Sequence, residues 1–503
     1  MKEIIVQEAS GSTFSTIAKN SFFILISWII ELGAGLIIVV LVANYLGAQK
    51  FGVFSFIRAA AFVLSPLVAF GSMRIIVREI SVAKERTTDF LAAGLILNLL
   101  MTLTVAIVAA GIIPAFGLKT HVEIWALYLA IITQACLAIK TTVNAGFLAH
   151  DIAHFAALIN LANRFFVILA VVLIVVLKLG FLMLFVAIAL ANMISLGISF
   201  YILKIPKITV GRPKNLIENI KFLINESYPI AIVTFMVQGY TYVNTFFLQF
   251  FHGSWHVAMF EASQRLILPL SMIATSILLG FVSTLSRLGK NVESHDRLFQ
   301  VYEGTLRLFF VITFPVCAIV ALFSEPIILI LYKTEFLPTA KTLAILIWSI
   351  IPLFANGLLN FLLTSLYRQK LLLISNTACF IVNIVLSWLV VKDYGFVGIS
   401  YATLIAYIIL FGINYYFVTR LLGPVRLFSM TLIPGLITLL FFYSAKVTAF
   451  GENNGIIMAI SYLVTYFLLM IVAKMITFRE MELLSRVLKR RRGPGKRPRQ
   501  TLV

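Results

Sequence analysis

The feature that most constrains this chain is a series of continuous apolar stretches, each about as long as a bilayer-crossing helix. Such a helix needs roughly 20 mostly apolar residues. Of the 503 residues, 61% are hydrophobic and 12% are charged, whereas a soluble domain is about half apolar and a quarter charged. The composition therefore predicts helices that face lipid, because backbone amides in lipid must be bonded within their own segment.

Fourteen stretches of this kind predict an all-α polytopic membrane protein with about 14 transmembrane helices. They are continuous, whereas the strands of a membrane β-barrel alternate apolar and polar residues. The predicted spans are 20–44, 52–73, 89–114, 123–148, 154–177, 180–203, 226–250, 255–283, 305–324, 341–366, 370–391, 395–418, 425–446 and 455–476.

Lys and Arg residues are divided unequally between the two sets of connections. The side that carries both termini holds 29 of the 40, and the opposite side holds seven. Because basic residues accumulate in cytoplasmic loops, we expect a multi-pass protein of the cytoplasmic (inner) cell membrane with both termini in the cytoplasm. The basic tail KRRRGPGKRPRQ, residues 489–500, is then expected to contact anionic membrane lipids and no nucleic acid.

A charged linker with Pro and Gly, KIPKITVGRPKNLIENIKF, follows the sixth predicted span. Six spans precede it, and six more follow it before the last two, so that each six-span block begins and ends in the cytoplasm. This is the arrangement of parallel repeats, which places substrate in a central cavity between two lobes. The predicted domains are an N-terminal six-helix lobe (1–203), a linker (204–222), a C-terminal six-helix lobe (223–418), two additional C-terminal helices (419–476) and a basic cytoplasmic tail (477–503).

After the charged residues of the connections and span ends are set aside, six Asp, Glu, Lys or Arg residues remain inside predicted spans. An ionised side chain at mid-bilayer is costly, so such residues face a bundle interior or a water-filled cavity. Four of the six are basic and two are acidic, which leaves the interior net positive by two. A surplus of cation at low dielectric attracts an anion such as phosphate or pyrophosphate. The candidate substrate-binding bases are Arg58, Lys140, Arg164 and Arg265, and the acids are Glu31 and Glu261.

Some of these residues have a second interpretation. In the stretch FEASQRLILPL, residues 260–270, Glu261 and Arg265 are one helical turn apart and can neutralise each other, orienting only a bundle helix. Arg58 can snorkel to the outer interface and Lys140 to the inner one. Arg164 lies about ten residues into its span, so it is the hardest to explain in these ways.

The seventh span, ESYPIAIVTFMVQGYTYVNTFFLQF, is the most polar of the fourteen. Its hydroxyl, amide and aromatic side chains suit the recognition of sugar rings. Interhelical hydrogen bonds and an outer aromatic belt are the alternative. The candidate cavity residues on this span are Gln238, Tyr240, Tyr242 and Asn244.

The chain lacks the motifs of an enzyme or of a cofactor protein. It has no GxxxxGK[ST] loop for nucleotide phosphates and no compact group of carboxylates in a sizeable loop. The stretch HDIAH at 150–154 has two histidines at helical spacing, but it lies in a short connection between spans. We therefore predict a transporter, with no catalytic residues, no cofactor and no resident metal.

Four stretches resemble prokaryotic polysaccharide-export flippases. ANYLGAQKFGVFSF (43–56) is similar to their first-loop signature, in which an LG is followed after a short gap by FG. AFGSMRIIVREIS (69–81) resembles the end of their second span, which an Arg-Glu pair closes. FEASQRLILPLSMIATSILLGFVSTLSRL (260–288) is similar to their eighth span, and ALFSEPIILILYKTEFLPTAKTLAIL (321–346) to the block after their ninth, where a glycine is usual at the position of Lys333.

The resemblance implies a member of the multidrug/oligosaccharidyl-lipid/polysaccharide (MOP) superfamily, in the Wzx-type O-antigen repeat-unit branch. Such a protein flips a polyprenyl-(pyro)phosphate-linked oligosaccharide by alternating access for cell-surface glycan or lipopolysaccharide synthesis. H⁺ or Na⁺ is the implied coupling ion, with Glu31 and Glu261 as candidate coupling residues, and glycan polymerases or glycosyltransferases are implied partners. The alternatives are a lipid II flippase, a MATE-type drug or cation antiporter, and a membrane-embedded glycan enzyme.

Overall fold

The protein is described here by a computed structural model. It describes residues 2–112, 120–203, 213–267, 269–270, 295–366, 368–447, 455–473 and 475. Within these ranges, side chains are described except at 2–32, 112, 295–297, 369, 444–447 and 455–459.

The described residues form helices joined by short turns, without a β-strand among them. Long runs of apolar residues favour this outcome because a helix satisfies its own backbone hydrogen bonds in lipid. The helices are α1 (Lys2–Ala69), α2 (Ser72–Val82), α3 (Thr87–Ile112), α4 (His121–Ala149), α5 (Ala153–Leu177), α6 (Phe181–Leu203), α7 (Leu216–His252), α8 (254–267), α9 (His295–Leu322), α10 (Ser324–Leu331), α11 (Thr339–Leu346), α12 (Ile350–Ser365), α13 (Gln369–Leu422), α14 (Leu427–Val447) and α15 (Gly455–Val472).

The helices confirm the predicted polytopic membrane fold. Among the described residues, nine helical segments are long and apolar enough to cross a membrane. Gly33–Val82 covers the second half of the first predicted span and all of the second, and Lys370–Leu422 contains two predicted spans. The shorter Leu427–Tyr443 and Ile460–Val472 match the last two. The predicted eighth span begins with α8 and continues beyond the described residues.

Glycine kinks separate consecutive spans at matching places in the two predicted six-span blocks. Gly47 (φ 74°, ψ 169°) lies between the first and second spans. Gly253 (φ 81°, ψ −174°) lies between the seventh and eighth. A positive φ of this size combined with an extended ψ is accessible almost only to glycine. The two blocks therefore share a local backbone conformation at the same step of their topology.

The second glycine of the LG…FG stretch is needed for close packing. A Cβ atom at Gly52 would lie 1.7 Å from the backbone carbonyl oxygen of Ser254, the first residue of α8. No side chain fits at that distance, so α1 and α8 can approach each other here only through glycine. The two glycines of the stretch thus serve a kink and a helix contact.

Contacts within the chain define two compact units. The first contains residues 1–269, 326–342 and 383–402, and the second contains 270–325, 343–382 and 403–503. The core of the first unit includes Ile76, Phe90 and Phe147, all fully buried. In the second, Phe309 packs edge-on against Phe354, and the Asn414 amide donates to the Asn356 carboxamide oxygen. The predicted lobes at 1–203 and 223–418 remain a prediction, and residues 204–212 of the linker lie outside the described ranges.

Candidate substrate-binding site

Three of the predicted intramembrane arginines come together in the first unit. Arg58 lies on α1, and its guanidinium interacts electrostatically with Arg265 of α8 and Arg164 of α5. The carboxylate of Glu261, also on α8, acts on the same guanidinium. We call Arg58, Arg164, Arg265 and Glu261 the arginine cluster. These four side chains, three guanidinium groups and one carboxylate, together have a net charge of +2.

Each oxygen of the Glu261 carboxylate accepts one hydrogen bond. Its Oε2 accepts a hydrogen bond of 3.3 Å from Nη2 of Arg265, one turn along α8. Its Oε1 accepts a hydrogen bond of 2.6 Å from the hydroxyl of Thr245 on α7. The Glu261 side chain is 6% exposed, whereas that of Arg265 is 19% exposed. A ligand can therefore reach the guanidinium more readily than the carboxylate behind it.

Aromatic rings support the guanidinium groups of the cluster. Cζ of Arg58 lies 5.6 Å from the ring centroids of both Phe54 and Phe62. The Phe62 ring stacks on that of Tyr242 at 5.9 Å, and the Tyr242 hydroxyl hydrogen-bonds Arg265. A cation near an aromatic face is stabilised by the ring quadrupole, more so when water is excluded. The rings therefore orient two arginines without neutralising them.

Lys140 belongs to a separate polar network between α4, α5 and α6. Its Nζ donates to the carboxamide oxygen of Asn163 at 3.2 Å, and Asn163 Nδ2 donates to Asn192 Oδ1 at 3.0 Å. Asn192 then donates to the Ile188 carbonyl at 2.8 Å. Lys140 is buried, with 6% exposure, so its ammonium lies among these helices. Asn163 directly precedes Arg164, which connects this network along α5 to the arginine cluster.

The polar residues of the seventh span have different surroundings. Tyr242 joins the arginine cluster, whereas Asn244 is buried and its Oδ1 accepts a hydrogen bond of 2.9 Å from Ser387 of α13. Gln238 is partly exposed one turn before Tyr242, and Tyr240 is partly exposed on another face of α7. Glu31, the remaining predicted residue, lies outside the side chains that the structure describes.

Sequence reasoning missed three residues of the site. Thr245 lies one turn after Tyr242 on α7, and this spacing is the signal that could have placed it beside the cluster. Phe54 and Phe62 flank Arg58 at four residues on either side, which is also helical spacing. Threonine and phenylalanine are common in membrane helices, so residue type alone did not distinguish them.

A set of ion pairs joins α2 to α7 at the predicted cytoplasmic end. Arg78 forms bonds of 3.1 Å with Glu79 and 3.0 Å with Glu226 of α7. Arg86 also approaches Glu79, at 3.5 Å. The Arg-Glu pair of the stretch 69–81 therefore contacts a second helix. The two arginine side chains are about half exposed to solvent, so each pair contributes little to stability.

Two family models match the chain. One describes a "Polysaccharide biosynthesis protein" family and matches residues 17–288, just over half of the chain. The other describes the "Lipid II flippase MurJ" family and matches residues 212–478, also just over half. A comparison with curated proteins finds no match.

Solved structures of low sequence identity share the fold. A lipid II flippase MurJ in an inward closed conformation is 16% identical, covers 92% of this chain and 99% of its own, and has a TM-score of 0.74. An inward-facing multidrug resistance MATE family transporter is 16% identical, and the match covers 79% of this chain and 94% of the transporter, with a TM-score of 0.64. A MOP superfamily transporter from Pyrococcus furiosus is 14% identical, and the match covers 81% of this chain and 95% of that chain, with a TM-score of 0.54. The binding pocket of that transporter has reverse polarity, which suggests a different function.

Proposed function

The chain belongs to the MOP superfamily of membrane flippases and transporters, and we propose that it flips a polyprenyl-(pyro)phosphate-linked oligosaccharide across the cytoplasmic membrane. Its cargo would be a repeat unit for a cell-surface polysaccharide. The proposed route is alternating access, with both termini in the cytoplasm and the polyprenyl tail in lipid. The cargo leaves chemically unchanged, in keeping with matched families that are flippases and transporters rather than enzymes.

The observation that carries this proposal is the surplus of guanidinium groups in the arginine cluster. Arg58, Arg164 and Arg265 interact electrostatically, and one carboxylate, that of Glu261, is among them. Guanidinium groups bind phosphate oxygens through paired, charge-assisted hydrogen bonds. A pyrophosphate diester carries two negative charges at neutral pH, equal and opposite to the net charge of +2 of the four cluster residues.

The residues around the cluster suit the sugar that follows the pyrophosphate. Tyr242 offers a ring and a hydroxyl next to Arg265, and Gln238 and Tyr240 are partly exposed on the same helix. Phosphate binding would place the first sugar near these groups. We assign Asn244 a supporting role, because its carboxamide is engaged with Ser387.

Lipid II flipping is the second candidate, and the match of residues 212–478 to the MurJ family favours it. Lipid II presents the same pyrophosphate, so the arginine cluster suits both cargoes. A drug antiporter on this fold fits less well, since cationic drugs favour an acidic site. The Pyrococcus furiosus transporter, whose binding pocket of reverse polarity suggests a different function, is an example on this fold in which the polarity of the pocket differs.

The experiment that tests the proposal reconstitutes the purified protein in liposomes with a fluorescent short-chain lipid-linked oligosaccharide. A membrane-impermeant quencher then reports which leaflet holds the probe. We expect flipping of the pyrophosphate-linked probe and none of a matched probe in which a neutral ether replaces the pyrophosphate. Equal flipping of both probes would contradict the proposal. A parallel assay with lipid II separates the two candidates, and mass spectrometry of the recovered probe detects any chemical change.

A further inference from the structure

We propose that Glu261 is an internal competitor of the substrate: it holds Arg265 while the site is empty, and it weakens binding so that the cargo can be released. This inference rests on the proposed function, because it assumes that Arg265 binds the anionic part of the cargo. It gives Glu261 a role beyond neutralising a membrane arginine.

The geometry of Glu261 is that of a bound ligand of Arg265. The carboxylate accepts from Nη2 of Arg265 at 3.3 Å, which is the bond that a phosphate oxygen would form with the same group. At 3.3 Å the bond is longer than the usual charge-assisted hydrogen bond of about 2.7–2.9 Å, and it involves one guanidinium nitrogen. The contact is therefore a single, long bond, which a bidentate phosphate could replace.

Thr245 keeps the carboxylate in place when Arg265 turns toward a ligand. Its hydroxyl donates to the other oxygen of Glu261 at 2.6 Å, and Thr245 is fully buried. The acid therefore has a fixed position on α8, set from α7. Arg265, with 19% of its side chain exposed against 6% for Glu261, is the partner that faces an incoming anion. Thr245 is thus a positioning residue for Glu261.

The charges around Glu261 explain why its carboxylate weakens the binding of an anion. Its described charged neighbours are Arg265 on its own helix and Arg58 on α1, and Arg164 on α5 acts on Arg58. An anion bound to these arginines lies close to the Glu261 carboxylate and is repelled by it. A site with three guanidinium groups and no acid would hold a pyrophosphate tightly and release it slowly. Transport requires binding that is strong enough for entry and weak enough for exit, so an acid inside the cluster favours turnover.

The test measures the Kd and dissociation rate of farnesyl pyrophosphate on the full-length protein in nanodiscs. Glu261→Gln keeps the shape of the side chain and removes its charge. We expect its Kd to fall by about tenfold, within the usual range for coupling between two ligands, with slower dissociation and slower flipping at saturating cargo. A purely structural role for Glu261 predicts the opposite, namely weaker binding or loss of folded protein.

Three further variants keep the test decisive. Thr245→Val removes the hydroxyl with little change of shape and should tighten binding by less than Glu261→Gln, whereas Thr245→Ser should resemble the wild type. If Glu261→Gln does not fold, Thr245→Val decides the matter, and weaker or unchanged binding in it would overturn the inference.

Arg265→Gln should bind the probe poorly. A folded wild type that does not bind the probe would overturn the proposed function and this inference together, whereas wild-type binding that Glu261→Gln leaves unchanged would overturn this inference alone.

Discussion

Arg58 and Arg265 lie at nearly the same distance from matching glycine kinks: Arg58 is eleven residues after Gly47, and Arg265 is twelve residues after Gly253. Each arginine is thus about three helical turns into the second span of its predicted six-span block. Their guanidinium groups interact electrostatically. The two predicted six-span blocks, which share this backbone conformation, thus each contribute one arginine to the arginine cluster.

The first prediction concerns Arg164, which completes the arginine cluster from α5. Arg164→Ala should abolish flipping while protein abundance in the membrane stays near normal, because removing one charged ligand costs about 2–5 kcal/mol of anion binding. Arg164→Lys is the matched control and should retain part of the activity through its charge. Full activity of Arg164→Ala in the liposome assay would remove Arg164 from the site.

The second prediction separates pairing from substrate binding at α8. The double variant Glu261→Arg with Arg265→Glu keeps an oppositely charged pair one turn apart, so we expect it to fold and to elute as a monodisperse species. Its flipping rate should nevertheless be lost, because the guanidinium has left the position next to Tyr242. Normal flipping by this double variant would mean that the pair serves only to orient the helix.

The third prediction concerns the contact between α1 and α8. Gly52→Ala places a Cβ where the Ser254 carbonyl oxygen would be 1.7 Å away, so the helices must separate. Overpacking of this kind typically costs about 1–3 kcal/mol, and we expect a lower melting temperature by thermal-shift measurement. Gly239→Ala is the control, since a Cβ there meets no atom within 4 Å. Equal melting temperatures for the two variants would refute the packing argument.

The fourth prediction uses His150 in the turn between α4 and α5, outside the membrane spans. Burial, followed by the positive charge of Lys84, holds the pKa of His150 below its ordinary value, although Asp151 acts in the opposite direction. Its Nε2 lies 3.0 Å from the Thr87 hydroxyl. Because the unfolded chain then binds a proton more readily than the folded chain, stability from this group is present above the ordinary pKa and is lost as pH falls.

Melting temperatures measured from pH 7.5 to pH 5 in steps test the contribution of His150. His150→Gln should flatten the decline that the wild type shows below about pH 6.5, the ordinary histidine pKa. His154, four residues further on, provides a matched control as His154→Gln. Parallel pH profiles for the wild type and His150→Gln would show that His150 does not contribute.

The membrane helices could be predicted from the sequence because each needs about 20 consecutive apolar residues, a pattern that can be read directly from one stretch of the chain. The intramembrane charges were also visible, since any ionisable residue stands out in an apolar span. The residues that contact these charges could not be predicted, because the direction in which a side chain points depends on how each helix is rotated in its bundle. Asn244 and Tyr242 are two residues apart on α7, yet one contacts α13 and the other the arginine cluster.

Lys140 illustrates the same limit. Its sequence position allowed either a cavity or the inner interface, and the structure places its ammonium on Asn163 among α4, α5 and α6. No local pattern relates Lys140 to Asn163 and Asn192, which lie on two later helices. A cavity role for Lys140 therefore remains a prediction, as does ion coupling by Glu31.

The most direct measurement is a cryo-electron microscopy structure of the protein bound to a lipid-linked oligosaccharide with an intact pyrophosphate. We predict that the phosphate oxygens lie within hydrogen-bonding distance of Arg58, Arg164 and Arg265, with the first sugar next to Tyr242. A pyrophosphate bound away from all three arginines, with their guanidinium groups turned to lipid headgroups or each matched by a carboxylate, would contradict the account.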